Sequence, residues 1–179
     1  ALQNSQLQAE IKAMRESMGI EYRVPVPRIV DVSSQLAVHA KERYKTRKLT
    51  QITHIAIHHS AATASVSPEA IAKYHVSKDW PGIGYHFYIM PDGTIYQTNK
   101  LETISYQVYD NNDYTIGVCL AGIFNEAIPT QMQIAQAGHL IAWLMQQLHI
   151  GLDRVMGHKE YPHNSTACPG TNWLESARY

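Results

Sequence analysis

The segment ITHIAIHHS, residues 52–60, runs as an apolar strand and then ends on two consecutive histidines, His58 and His59. A run this rich in isoleucine belongs inside a sheet. Burying imidazole at the end of such a strand costs free energy unless something pairs with the ring. A satisfied core histidine is the ordinary outcome for a lone histidine. The rest of the chain must show whether this strand end is structural or chemical.

Further strand-like runs follow. GIGYHFYIM (residues 82–90) and TIYQT (residues 94–98) flank Pro91-Asp92-Gly93, a hairpin signal. YTIGVCLAG (residues 114–122) reads as another buried strand, and DRVMGH (residues 153–158) as a short strand or turn. Ser67-Pro68-Glu69 supplies a cap, an N1 proline and an acidic first turn, which predicts a helix to about Ser77. Thr130 begins a longer amphipathic helix with an expected buried face of Met132, Ala135, Leu140, Ile141, Leu144, Met145 and Leu148. Gly170-Thr171 precedes a last helix expected from about Asn172. Strands interleaved with helices predict an α/β domain, a central mixed β-sheet flanked by helices.

Ahead of this domain, residues 2–18 place Leu7, Ile11, Met14 and Met18 on one helical stripe. Such a stripe suits a short N-terminal helical arm or the end of a coiled coil, with self-association through this helix as one use. Pro25 and Pro27 break the pattern, so the expected division is an arm over residues 1–24 and a domain over residues 25–179. Residues 29–50 read as a mixed, basic lead-in wrapping onto the domain. Lysine plus arginine and aspartate plus glutamate both number 15, a balance that argues against nucleic acid as partner. No apolar stretch approaches the roughly 18 residues of a transmembrane segment. The N-terminus is too polar for a secretory signal, so no export route is visible.

Three side chains next to turns are borderline or soft metal ligands: His58, His158 in MGHKEY and Cys168 in STACPG. Zinc takes imidazole nitrogen and thiolate sulfur, and catalytic sites use three protein ligands with a fourth position open to water. Ligands this scattered form no motif by themselves. Cys119, in the apolar TIGVCLAG run, reads as a small core hydrophobe instead. Neighbouring strand residues face opposite ways, so only one of His58 and His59 can reach a metal, and periodicity does not choose between them.

Taken together, IHHSA, WPGIGYHFYIMPDGTIYQTN, YTIGVCLAG and GHKEY followed by TACPG resemble the zinc-dependent N-acetylmuramoyl-L-alanine amidase family. That family includes phage amidase lysozymes, bacterial cell-wall amidases and peptidoglycan recognition proteins. The likeness spans about residues 50–175 and leaves out the N-terminal arm. It implies Zn2+ as cofactor in a surface cleft, held by His58, His158 and Cys168. It also implies catalytic roles for Tyr85 in GYHF and for Thr166, which lines the site two residues before the cysteine and gives an oxyanion weaker help than a cation would. Where relatives often carry a cleft histidine, SYQVY places Gln107, which can hydrogen-bond but cannot shuttle protons near neutral pH. Gln107 and His163 are the expected substrate-binding residues, and Glu160 either orients His158 or makes a surface ion pair. The remaining histidines, His54, His59, His75, His86, His139 and His149, read as core-edge or solvated groups.

The resemblance implies hydrolysis of the amide between the lactyl group of N-acetylmuramic acid and L-alanine of peptidoglycan stem peptides. Zinc would lower the pKa of water toward about 7, and Tyr85 would help to stabilise the oxyanion. The expected partner is peptidoglycan, and the expected place of action is the cell wall, outside the cytoplasm. A non-catalytic peptidoglycan-binding module of the same fold is the competing expectation. A structural zinc site would normally close with four protein ligands, and only His163 stands near Cys168 as a fourth. A phage lysin, an autolysin and a recycling amidase share all these residues.

Overall fold

The computed structural model describes residues 2–17 and 23–172, and its backbone follows the strand and helix alternation of the sequence. Helix α1 (Leu2–Ser17) is followed by strands β1 (Ile29–Asp31), β2 (Lys45–Thr46) and β3 (His54–His59). Helix α2 (Pro68–Ser77) leads into the hairpin of β4 (Phe87–Ile89) and β5 (Ile95–Gln97). After β6 (Thr103–Ile104) come β7 (Thr115–Leu120), helix α3 (Gln131–Leu148) and β8 (Val155–Gly157). Six strands form one mixed sheet in the order β1-β5-β4-β7-β3-β8. Its β4–β5 ladder is antiparallel and the other ladders are parallel, while β2 pairs with β6 in a separate antiparallel ribbon.

The isoleucine-rich run occupies the inner strand β3, between β7 and β8, where both faces are covered. Side chains alternate along it. Ile55 and Ile57 join Ile116, Val118 and Leu120 of β7 in a core closed by Ala137, Leu140 and Leu144 of α3. On the opposite face, Tyr88, Cys119 and Ala121 pack with Ile71 and Ala72 of α2. Leu140 and Leu144 have no exposed surface, so truncating either to alanine should cost about 2–5 kcal/mol.

Both domain helices start as their caps predict. The Ser67 side chain accepts the Ala70 amide at 3.2 Å, with Pro68 in the first turn of α2. At α3, Thr130 and Gln133 exchange bonds, each side chain accepting the other's backbone amide at 3.1 Å. The buried face of α3 differs from the expected one, because Met132 is exposed, as is Ala135, and Gln133 is buried instead. Gln133 sits over the sheet end and donates to Ile89 O and Ala121 O. An apolar side chain there would take the donor from Ala121 O, while Ile89 O would keep the Ala121 amide at 3.0 Å.

Three further differences have local causes. The lead-in is part of the sheet rather than a wrapping, since it supplies β1 beside β5. The GIGYHFYIM strand is confined to Phe87–Ile89. Gly84 lies where a Cβ would come within 2.2 Å of Tyr106 O, and its amide donates to His75 Nδ1 at 2.8 Å. The segment Arg23–Pro27 is tied to α3, with the Val24 amide donating to Gln146 Oε1 at 2.7 Å and His139 Nε2 2.8 Å from Pro25 O. On α1 the stripe residues Leu7 and Met14 are exposed. Met18 and the helix expected after Asn172 lie outside the described residues.

Candidate metal centre

The two histidines that end β3 part ways as sheet geometry requires. His59 turns to the α3 side, where its Nδ1 accepts the Phe124 amide at 3.1 Å and its ring lies beside Phe124. His58 turns to the opposite face, 2% exposed, with its ring centre 4.7 Å from that of His158. Its Nδ1 is 3.5 Å from Cys168 Sγ. One donor atom each from His58, His158 and Cys168 lie within 4.8 Å of one another, so these three residues can hold a metal ion.

His158 comes from the turn after β8, and Cys168 from the loop that follows. That loop is held by the Lys159 amide donating to Cys168 O at 2.9 Å and by Lys159 Nζ donating to Gly170 O at 3.1 Å. It also rests on residues 124–127, because the Asn172 amide donates to Phe124 O at 3.0 Å.

The electrostatics suit a cation. Burial, and then the neighbouring His158, hold His58 well below its ordinary pKa, and burial lowers His158 as well. Both rings are therefore neutral near pH 7, with a lone pair free for coordination. Burial pushes the Cys168 thiol up to about 12. A thiol so placed ionises when a metal supplies the compensating charge, and two nitrogens with one sulfur suit zinc with an open fourth position.

Tyr85 completes this face. Its ring centre lies 5.2 Å from that of His58 and 5.6 Å from that of His75. Thr98 Oγ1 and Asn99 Nδ2 donate to its carbonyl at 2.6 and 3.0 Å, which fixes the backbone there. Burial, with Cys119 beside the hydroxyl, holds the phenol well above its usual range. It stays protonated near neutral pH, so an O–H group lies on the same face as His58.

Residues 48–171 match the N-acetylmuramoyl-L-alanine amidase family. The chain belongs to that family. Peptidoglycan-recognition protein SC2 of Drosophila melanogaster is 31% identical over 143 residues, covering 73% of this chain and 76% of that protein. An endolysin of Klebsiella phage KP32 is 34% identical over 85 residues, 46% of this chain and 55% of that one. The solved N-acetylmuramoyl-L-alanine amidase LysC from Clostridium intestinale URNW superposes with a TM-score of 0.70 at 28% identity, covering 86% of this chain and 95% of that one.

In this amidase-family chain the other expected site residues fall in different places. Thr166 is exposed and its Oγ1 accepts the Cys168 amide at 3.1 Å, so it shapes the ligand loop. His163 is exposed on the same loop at a φ of 65°, with Nε2 4.0 Å from Asp110 Oδ2. Gln107, expected to touch substrate, lies behind His58 with 8% exposure and Oε1 2.6 Å from His58 Nε2. Glu160 Oε2 accepts the Gly157 amide at 2.6 Å, which ties the His158 turn to β8. Asn164, which the sequence reading passed over, places Oδ1 2.8 Å from His158 Nε2. Its only sequence signal is its position between the two loop ligands. Among the histidines read as structural, His75 and His86 are buried, as is His59. Gly84 donates to His75 and Gly117 to His86.

Proposed function

We propose that the chain is a zinc-dependent N-acetylmuramoyl-L-alanine amidase. It cleaves the amide between the lactyl group of N-acetylmuramic acid and L-alanine of peptidoglycan stem peptides, and so acts on the cell wall. The observation that carries this reading is the convergence of His58, His158 and Cys168 donor atoms within 4.8 Å, with the Tyr85 ring against His58. His58, His158 and Cys168 would hold the zinc, which supplies a Lewis acid and water activation. The Tyr85 hydroxyl donates a hydrogen bond to the oxygen that gains charge as the carbonyl becomes tetrahedral. Thr166 lines the loop edge and keeps the Cys168 amide engaged. His163, exposed on the same loop, would meet the stem peptide. The arm, residues 1–24, lies outside the chemistry and serves association or tethering through its apolar stripe.

The competing reading is a binding module that holds peptidoglycan without cutting it. The chain's likeness both to an endolysin and to a peptidoglycan-recognition protein keeps it in view. A complete ligand set with Tyr85 beside it favours catalysis. Elemental analysis of metal-replete protein should give one zinc per chain, and zinc-loaded protein should release stem peptide from soluble muropeptides. Zinc-loaded protein that binds muropeptide and leaves it intact would establish the binding module.

A further inference from the structure

We infer that two side-chain carboxamides, Gln107 and Asn164, hold His58 and His158 in the Nε2–H form and so present both Nδ1 lone pairs to the metal. The inference rests on the metal centre proposed above.

Hydrogen-bond direction leaves one arrangement at Gln107. Thr115 Oγ1 donates to Asn111 O at 2.7 Å, so it accepts from Gln107 Nε2 at 2.5 Å. Gln107 Oε1 is then the atom 2.6 Å from His58 Nε2, and a carbonyl oxygen only accepts. His58 Nε2 carries the proton, which leaves Nδ1 bare in the neutral ring, 3.5 Å from Cys168 Sγ. Gly117 makes room for this, because a Cβ there would come within 3.0 Å of Gln107 Cγ, Cδ and Oε1.

Asn164 repeats the device. Its Nδ2 donates to Tyr109 O and to Pro162 O, both at 2.9 Å, which turns Oδ1 toward His158 Nε2 at 2.8 Å. Both carboxamides depend on the segment between β6 and β7. Asn112 Oδ1 accepts the Gln107 and Val108 amides at 2.9 and 2.7 Å, and Tyr109 supplies the carbonyl that anchors Asn164. One loop therefore aims both histidines. Hydrogen-bonded outer partners fix ring orientation and tautomer at metal sites. Amide oxygens do so without adding negative charge, so a site with one thiolate keeps its net positive charge for polarising a carbonyl.

The test uses the zinc-loaded 179-residue chain labelled with 15N. Long-range 1H–15N NMR should find the ring proton on Nε2 of both His58 and His158. In Gln107→Leu and Asn164→Ala, chelator competition should show zinc bound about ten- to a hundredfold more weakly. Gln107→Glu, which keeps an acceptor, should recover the Nε2–H signal and most of the affinity. Asn164 is half-exposed, so its variant should fold even if Gln107→Leu does not. Zinc-loaded protein with the proton on Nδ1 of either ring, or unchanged affinity in Asn164→Ala, overturns the carboxamide clamp and leaves the metal centre standing. A chain that takes up no zinc overturns the metal centre and the clamp with it.

Discussion

Replacing Gln133 with methionine should loosen the junction between α3 and the sheet. Gln133 is 1% exposed, donates to Ile89 O at 3.1 Å and Ala121 O at 2.9 Å, and accepts the Thr130 amide at 3.1 Å. Methionine matches its length and offers no comparable donor or acceptor, so three bonds disappear and Ala121 O is stranded, while Ile89 O keeps the Ala121 amide. At about 1 kcal/mol net per bond, with the stranding cost partly offset by the added apolar burial, the loss comes to about 3 kcal/mol. For a chain of this size that corresponds to a fall in Tm of about 6–12 °C. Urea unfolding followed by tryptophan fluorescence would read it, with parent and variant both zinc-saturated because bound zinc adds stability by mass action. Ile134→Ala, next along the helix at an exposed position, should change stability by no more than about 0.5 kcal/mol. A Gln133→Met protein within that same margin of the parent would refute the claim that this side chain fastens the helix.

Tyr85→Phe should keep its zinc and lose about a hundredfold in turnover, the scale for removing one donor to a developing oxyanion. Thr166→Ala should cost less, and steady-state rates on muropeptide with zinc content measured in parallel would separate the two. Deleting residues 1–24 should leave zinc content and per-site activity on soluble muropeptides intact, while light scattering shows whether the oligomeric state changes. Stability should fall as pH drops from about 6.5 toward 4. Burial, then Lys78, holds His75 down to about 4, and burial, then Arg47, holds His86 down to about 3. Both rings are neutral when folded and take up protons on unfolding in that window, so stability is full above about 6.5 and is lost as acid is added. A urea midpoint higher at pH 5 than at pH 7 would contradict this.

Local signals in the sequence carried much of this architecture. The β3 run, the Ser67 and Thr130 caps and the Pro91-Asp92-Gly93 hairpin each depend on residues close together in the chain, and each appears in the fold. β1 was missed because its three residues find their partner in β5, far along the chain, and carry no periodicity of their own. Met132 and Ala135 looked buried by apolarity alone, whereas the sheet end beneath that turn needs a hydrogen-bond donor and so buries Gln133. At the site, alternation showed that His58 and His59 part, but only the packed sheet shows which ring meets Cys168. The bond from Gln107 to His58 was hidden for the same reason, because a loop residue's direction depends on Thr115, Asn112 and Gly117, contacts that no spacing reveals.

The central claim is that three converging ligands and Tyr85 make this fold cut a particular amide. Product analysis is its most direct test: zinc-loaded protein incubated with a defined soluble muropeptide, and the products identified by mass spectrometry. The account predicts a peptide with a free L-alanine amino terminus and a sugar fragment retaining the lactyl carboxyl group, with both absent when zinc is chelated and restored when zinc is returned. Intact muropeptide after incubation with fully zinc-loaded protein, or cleavage at any other bond, would contradict it.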